Sequence, residues 1–331
     1  MPTPTQSFRS FRCIAAAALL AAVAIALPFT ASAFDLQGHR GARGLAPENT
    51  LAAFEQALKT GVTTLELDIA LTSDGVPVIA HDPHLNPSFT RDASGKWLSG
   101  KGPLIRSLTL AQLQAYDVGR IDPSSSYAGQ FPTQMPRDGE RIPTLAALFE
   151  LAKKLGANDI RYNIEIKTNP TLPADTATPQ EFADAILRVI REAGVGPRAA
   201  IQSFDWRGQQ AIQKADPAIA TAYLTFQNAR NDSPSDPAWM AGMLRRNYAS
   251  VPHMVKAAGG TYWSPNGPAL TAELVKQAQG LGLKVIPWTI NSKEDMARFI
   301  DWGVDGIITD YPDRLREVMQ QKNLPLPRTI P

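Results

Sequence analysis

Four short clusters of ionisable residues carry the chemistry of a 331-residue chain that has only four histidines. They are Gly38-His39-Arg40-Gly41, Glu66-Leu67-Asp68, His81-Asp82 and Glu165-Ile166-Lys167. Residues two apart on a strand share a face, so Glu66 pairs with Asp68 and Glu165 with Lys167. Carboxylates crowded together repel, which raises the pKa of one of them. A bound divalent cation would relieve three convergent acids, Glu66, Asp68 and Glu165. All-oxygen ligation suits Ca2+ or Mg2+ better than Zn2+. The competing reading is an ion-pair network of the same acids with Arg40 and Lys167, and spacing does not separate the two. His39 and His81 each stand beside carboxylates, and two histidines facing one site suit a general acid and a general base. Arg40 and Lys167 supply positive charge for a phosphate anion. A metal, two histidines and two cations together describe phosphoryl chemistry. His84 falls in a long irregular stretch near the expected mouth, and His253 reads as a surface or helix-end histidine.

These clusters need a scaffold that brings distant segments to one place. From residue 34 onward, strand-like and helix-like stretches alternate. The expected strands are Asp35–His39, Thr63–Ile69, Tyr162–Ile166, Ala199–Ser203, Ile219–Thr225, Thr261–Ser264, Lys284–Ile290 and Gly306–Thr309. Amphipathic stretches such as Thr50–Thr60, Thr144–Leu155, Pro179–Ala193 and Ala269–Leu281 each stop at a glycine, the usual helix terminator. A last helix is expected over Asp313–Gln321. Repeated β-then-α implies a parallel sheet with helical crossovers, and eight strands favour an α/β fold of the TIM (β/α)8 barrel type. Absence of G-x-G-x-x-G after the first strand argues against a dinucleotide-binding sheet. In such a barrel the clusters fall at strand ends, where active sites are built.

Val76–Ala80 follows strand two too closely to be a barrel strand. Asp74-Gly75 is a hairpin signal, and a two-residue turn there would pair Ile69 with Ala80 and Asp68 with His81. Residues 83–142 are rich in Pro, Gly, Ser and Asp, with one helical piece near Leu108–Tyr116. They are expected to form an insertion over the C-terminal face of the barrel.

His39-Arg40-Gly41, Pro47-Glu48-Asn49-Thr50, Glu66-Leu67-Asp68, His81-Asp82 and Glu165-Ile166-Lys167 follow one another in an order that resembles the glycerophosphodiester phosphodiesterase family. The likeness continues through Gln202-Ser203-Phe204, Pro287-Trp288-Thr289-Ile290-Asn291 and the run from Gly303 to Pro312. The resemblance implies a TIM barrel with an insertion after the hairpin. It implies one divalent cation on Glu66, Asp68 and Glu165, His39 and His81 as acid and base, and Arg40 and Lys167 on the phosphate. It further implies hydrolysis of a small glycerophosphodiester to glycerol 3-phosphate and an alcohol, through a cyclic phosphate. Two other activities remain open on the same barrel: lysophospholipase D-type or other phosphodiester cleavage, and phosphodiester binding without turnover. Asn49 or Thr50 reads as a helix cap. Trp288 is a candidate for the glycerol or alcohol pocket, with Tyr223, Phe226 and Trp263 as weaker ones.

The N-terminal segment reads as an export signal. Arg9 and Arg12 precede an apolar run from Ile14 to Phe29, and Thr30-Ala31-Ser32-Ala33 carries an A-x-A cleavage site. Residues 1–33 would leave a mature domain of residues 34–331, periplasmic or secreted, without stable membrane insertion. Cys13, the one cysteine, would leave with the signal, so no disulfide is expected. Lys and Arg number 33 against 31 Asp and Glu, and Arg9 and Arg12 account for the excess. Nothing in that balance points to nucleic acid.

Overall fold

The computed structural model describes residues 1–4 and 33–331, of which Ala33–Pro331 form one compact unit. The expected signal's apolar run and Cys13 lie outside the described residues. Nine strands form: β1 (Asp35–Gly38), β2 (Thr64–Leu71), β3 (Pro77–Ile79), β4 (Arg161–Ile166), β5 (Ala199–Ser203), β6 (Ala220–Thr225), β7 (Tyr262–Pro265), β8 (Lys284–Val285) and β9 (Gly306–Thr309). Eight of them run parallel in the order β8-β7-β6-β5-β4-β2-β1-β9, a nearly closed barrel. The seam between β8 and β9 is bridged by Asp305 N–H to Val285 O, Ile308 N–H to Pro287 O and Ile290 N–H to Ile308 O. Strand eight, expected over Lys284–Ile290, stops at Val285 as a regular strand. Pro287 has no N–H to give to a ladder.

The helices are α1 (Leu51–Thr60), α2 (Leu110–Leu113), α3 (Leu145–Lys154), α4 (Pro179–Ala193), α5 (Trp206–Ala215), α6 (Val251–Ala257), α7 (Ala272–Gly280), α8 (Lys293–Asp301) and α9 (Pro312–Gln321). In α4, Thr178 and Glu181 form a reciprocal capping box, Pro179 opens the first turn and left-handed Gly194 ends the helix. Its face of Phe182, Ile186, Leu187 and Ile190 is buried, each side chain contributing about 1.5–3 kcal/mol. α7 starts three residues later than the expected Ala269, because Gly267–Ala269 forms a 3-10 turn and Thr271 caps the helix proper. The expected helix over Leu108–Tyr116 shrinks to α2, a single turn closed by a Thr109/Gln112 capping box.

The main apolar core lies between the barrel and its helices, where Leu36, Leu65, Leu67, Ile164, Ile201 and Ile307 are fully buried. Tyr223 and Trp263 belong to this core and not to a substrate pocket, and their polar tips bond Ala258 O and Thr225 Oγ1. Alternation then turns Gln37, Glu66, Asn163, Glu165 and Gln202 inward. The barrel interior is polar as a result.

The hairpin forms with a register one residue away from the expected one: Ile69 faces Ile79, and Ala80 N–H bonds Asp68 O. The loop holds three residues, Ser73-Asp74-Gly75, because Thr72 Oγ1 bonds Asp74 Oδ1 at 2.6 Å and accepts from Val76 N–H. Gly75 takes the left-handed position such a loop requires, at φ 73°. Asp68 therefore faces Ala80, and His81 lies one step beyond the ladder. The insertion builds a small core of its own from Leu85, Ile105, Leu113, Val118 and Ile142 beneath Ala70 and Val78. It is tied to the loop after β1 by Gln134 Nε2 to Arg43 O and Met135 N–H to Leu45 O.

Candidate active site

At the end of β1 the chain turns sharply. Arg40 and Gly41 both adopt left-handed backbone, with φ of 48° and 83°. A non-glycine residue there is strained, and such strain gathers at functional sites. The turn aims the Arg40 N–H at Glu66 Oε2, 2.8 Å away. A Cβ on Gly38 would lie 2.1 Å from Gly41 O, so only glycine permits this approach.

His39, Arg40, Glu66, His81, Glu165 and Lys167 line one cavity of about 170 Å3, together with Trp288 and Phe204. Thus the sequence-derived residues converge as expected. Asp68 sits just behind them, fully buried. Ligand atoms of Glu66, Asp68 and Glu165 all lie within 4.8 Å of one another, so the three could hold a metal ion. Neighbouring strands explain the convergence, since Asp68 on β2 is the register partner of Glu165 on β4.

Charge is distributed unevenly over the three acids. Asp68 has Lys167 Nζ at 3.0 Å and Arg40 Nε at 3.2 Å, and Asn49 Nδ2 donates to it at 2.9 Å. Burial works to raise its pKa, but Lys167 and Arg40 outweigh it and hold Asp68 well below the usual carboxylate range. Glu66 meets neutral donors, the Arg40 N–H and Gln202 Nε2 at 2.7 Å. Burial, then repulsion from Asp68 and Glu165, pushes Glu66 well up. Burial raises Glu165 to about 7, although Lys167 Nζ lies 2.8 Å away. The foreseen ion pairs thus neutralise Asp68 and leave two frustrated carboxylates. A hard divalent cation, which takes oxygen ligands, fits that donor set and supplies the missing charge.

Both histidines are held by an aspartate on Nδ1. His39 Nδ1 and Asp310 Oδ1 are 2.7 Å apart, and His81 Nδ1 and Asp82 Oδ1 are 2.8 Å apart. The Nε2 atoms are left for chemistry, and His39 Nε2 lies 3.9 Å from Glu66. Burial and the Arg43 guanidinium bring His39 down to about 4, against the pull of Asp310. Burial, then Lys167 and Arg40, lowers His81 as well. Both rings are therefore neutral near pH 7, able to accept a proton.

Several partners were not singled out from the sequence. Asp310 follows β9 directly, at the kind of strand end that marked the other clusters, and it also accepts from Arg43 Nε at 2.7 Å, Arg43 Nη2 at 3.0 Å and Asn291 Nδ2 at 2.7 Å. Of Pro47-Glu48-Asn49-Thr50, Thr50 caps α1 as expected. Glu48 instead binds Arg40 Nη1 at 2.6 Å and accepts from the Tyr127 hydroxyl of the insertion. Trp288 stands partly buried against Phe204, ring centroids 5.3 Å apart, and its Nε1 bonds Ser264 O.

Residues 39–314 match the glycerophosphoryl diester phosphodiesterase family model. A glycerophosphodiester phosphodiesterase of Caldanaerobacter subterraneus subsp. tengcongensis is 30% identical over 283 residues, covering 86% of this chain and 96% of the relative. The crystal structure of a putative glycerophosphoryl diester phosphodiesterase from Silicibacter pomeroyi superposes with a TM-score of 0.79 at 36% identity, covering 88% of this chain and 95% of that one. A phosphodiesterase from Oleispira antarctica, solved with its product sn-glycerol-3-phosphate, gives 0.63 at 25% identity over 86% of this chain and 96% of that one. With a barrel of this topology and this ordered set of residues, the chain belongs to the glycerophosphodiester phosphodiesterase enzyme family.

Proposed function

We propose that this protein hydrolyses glycerophosphodiesters to glycerol 3-phosphate and an alcohol, using one divalent cation, Ca2+ or Mg2+, held by Glu66, Asp68 and Glu165. One observation carries the reading. Two aspartate-held, neutral histidines share a cavity with a buried acid trio and the cations Arg40 and Lys167. Binding alone needs no such pair. The product found in the Oleispira antarctica relative supports the same substrate class.

When bound, the cation would act as a Lewis acid on a phosphoryl oxygen. Arg40 and Lys167 hold the remaining phosphate charge. In a first step His39 Nε2 takes the proton of the substrate's own glycerol hydroxyl, whose oxygen bonds to phosphorus. The bond from phosphorus to the alcohol breaks, and His81, which takes up a proton at Nε2 as the anionic diester binds, donates that proton to the leaving alcohol. In a second step His81, now neutral, takes a proton from water as that water attacks phosphorus. His39 returns its proton to the glycerol oxygen as the ring opens. Asp310 and Asp82 keep each ring oriented and stabilise it when charged. Trp288 lines the glycerol or alcohol side of the pocket.

A panel of glycerophosphocholine, other glycerophosphodiesters and long-chain lysolipids tests this reading. Release of glycerol 3-phosphate from the small diesters is expected, and a clear preference for lysolipids would shift it to a lysophospholipase D-type activity. A diester lacking the neighbouring glycerol hydroxyl should be inert, and turnover at full rate would exclude the cyclic route. We further propose that residues 1–33 act as a cleaved export signal, so that this chemistry takes place in the periplasm or outside the cell. Among the described residues no helix is long and apolar enough to cross a membrane.

A further inference from the structure

A column of buried side chains runs through the barrel interior to the acid trio. Asp35, Gln37, Asn163, Gln202 and Glu66 are each at most 7% exposed. Gln37 Nε2 donates to Asp35 Oδ2 at 2.9 Å, and Gln202 Nε2 donates to Glu66 Oε1 at 2.7 Å. Between them Asn163 Nδ2 donates to Gln37 Oε1 at 2.8 Å and to Gln202 Oε1 at 3.0 Å. The direction of every bond follows from the two ends. With the cation bound, both end carboxylates are ionised and only accept, so each glutamine must turn its NH2 outward and its oxygen toward Asn163. Asn163 must then give both amide hydrogens, one each way. Its Oδ1 has no side-chain or backbone partner, and the residue lines a cavity of about 70 Å3 at the other mouth of the barrel. Both Asn163 donors are spent inside the column, one on each glutamine.

We propose that Asn163 is a positioning residue for the cation: by donating in both directions it fixes the Gln202 amide with its NH2 toward Glu66, which aims the Glu66 carboxylate at the acid trio. Asn163 reaches the site only through Gln202. The inference rests on the reading that Glu66, Asp68 and Glu165 hold a divalent cation. Groups that orient a metal's ligands in this way influence affinity about 10–100-fold.

Asn163→Asp is the informative change, because it keeps the size and removes the donors. An aspartate supplies at most one hydrogen where two are needed, so Gln202 is drawn to turn its NH2 down and present its oxygen to Glu66. Asn163→Leu also removes the donors, but it gives Gln202 no reason to turn. Mn2+ titration of the purified protein, with free Mn2+ followed by electron paramagnetic resonance, reads the difference, and thermal unfolding of each variant reports on the fold. Asn163→Asp should bind Mn2+ roughly 10–100-fold more weakly than wild type, and Asn163→Leu only a few-fold more weakly. Wild-type affinity in Asn163→Asp, or equal losses in both variants, would overturn the proposal and leave Asn163 a packing residue. Should Asn163→Asp fail to fold, Gln202→Met removes the same bond to Glu66 at similar volume. It is expected to lose affinity to the same degree, and unchanged binding would overturn the proposal. A wild-type protein that binds no Mn2+ would instead remove the cation reading on which the inference stands.

Discussion

Glu165→Gln separates a cation site from a structural ion-pair network, because the two give opposite results for stability. Glu165 is buried with Lys167 Nζ 2.8 Å from its Oε1. Burial, with added repulsion from Asp68, raises it from 4.5 to about 7 even so. Ionised Glu165 therefore costs the fold about 3 kcal/mol relative to the unfolded chain. A carboxyl with a raised folded pKa gives stability that is complete below 4.5 and is lost as pH rises through 7. Glutamine is a neutral isostere, and Lys167 keeps Asp68 as its partner. In chelator the variant should gain about 1 kcal/mol over wild type at pH 5 and up to about 3 kcal/mol at pH 8. With a cation at 100 times its Kd, wild type should gain about 2.7 kcal/mol, whereas a variant binding about 100-fold more weakly keeps roughly 0.4 kcal/mol. At about 2 °C per kcal/mol for a large domain, that is a difference of roughly 5 °C in the shift. Calorimetry at pH 5 and pH 8, in chelator and in Ca2+ or Mg2+, measures all of this. A variant that loses about 3–5 kcal/mol in chelator, as a broken buried ion pair would, yet keeps the full cation-induced shift would remove Glu165 from the cation's ligands.

Asp310→Asn should lower kcat by about 10²–10⁴-fold with the fold retained. Both Asp310 oxygens accept from two donors each, so an amide NH2 in either position meets a donor; steady-state kinetics with circular dichroism check this, and an unchanged kcat would remove His39 from proton transfer. Arg40→Lys loses the planar fork that reaches Glu48 and Asp68, and kcat/KM should fall about 10–100-fold; wild-type kinetics would make Arg40 structural. Mass spectrometry of the exported protein should find a mature N-terminus at Phe34, and retention of Ile14–Phe29 would indicate an anchor.

Much of the site was legible because strand parity is a strict rule. Glu66 with Asp68, and Glu165 with Lys167, had to share faces once β2 and β4 were recognised, and β/α alternation set those strands in one barrel. What escaped depended on tertiary contacts. Glu48 and Asn49 look like helix-start residues, yet the left-handed turn at Arg40 and Asn49 sends them to Arg40 and Asp68. Asp310 lies 271 residues from His39, and only closure of the barrel beside β1 brings them together. The hairpin register hinged on Thr72, whose hydroxyl adds a residue to the loop. Gln37, Asn163 and Gln202 read as ordinary strand residues, and their shared direction appears only when the two terminal carboxylates are seen.

Cation-dependent hydrolysis at this site is tested by following glycerol 3-phosphate release from glycerophosphocholine by the purified protein in a coupled assay, first with chelator and then after restoring Ca2+ or Mg2+. Release that stops in chelator and returns with the cation is the expected result. Tight binding of glycerophosphocholine without release under either condition, or full release in chelator, would contradict it.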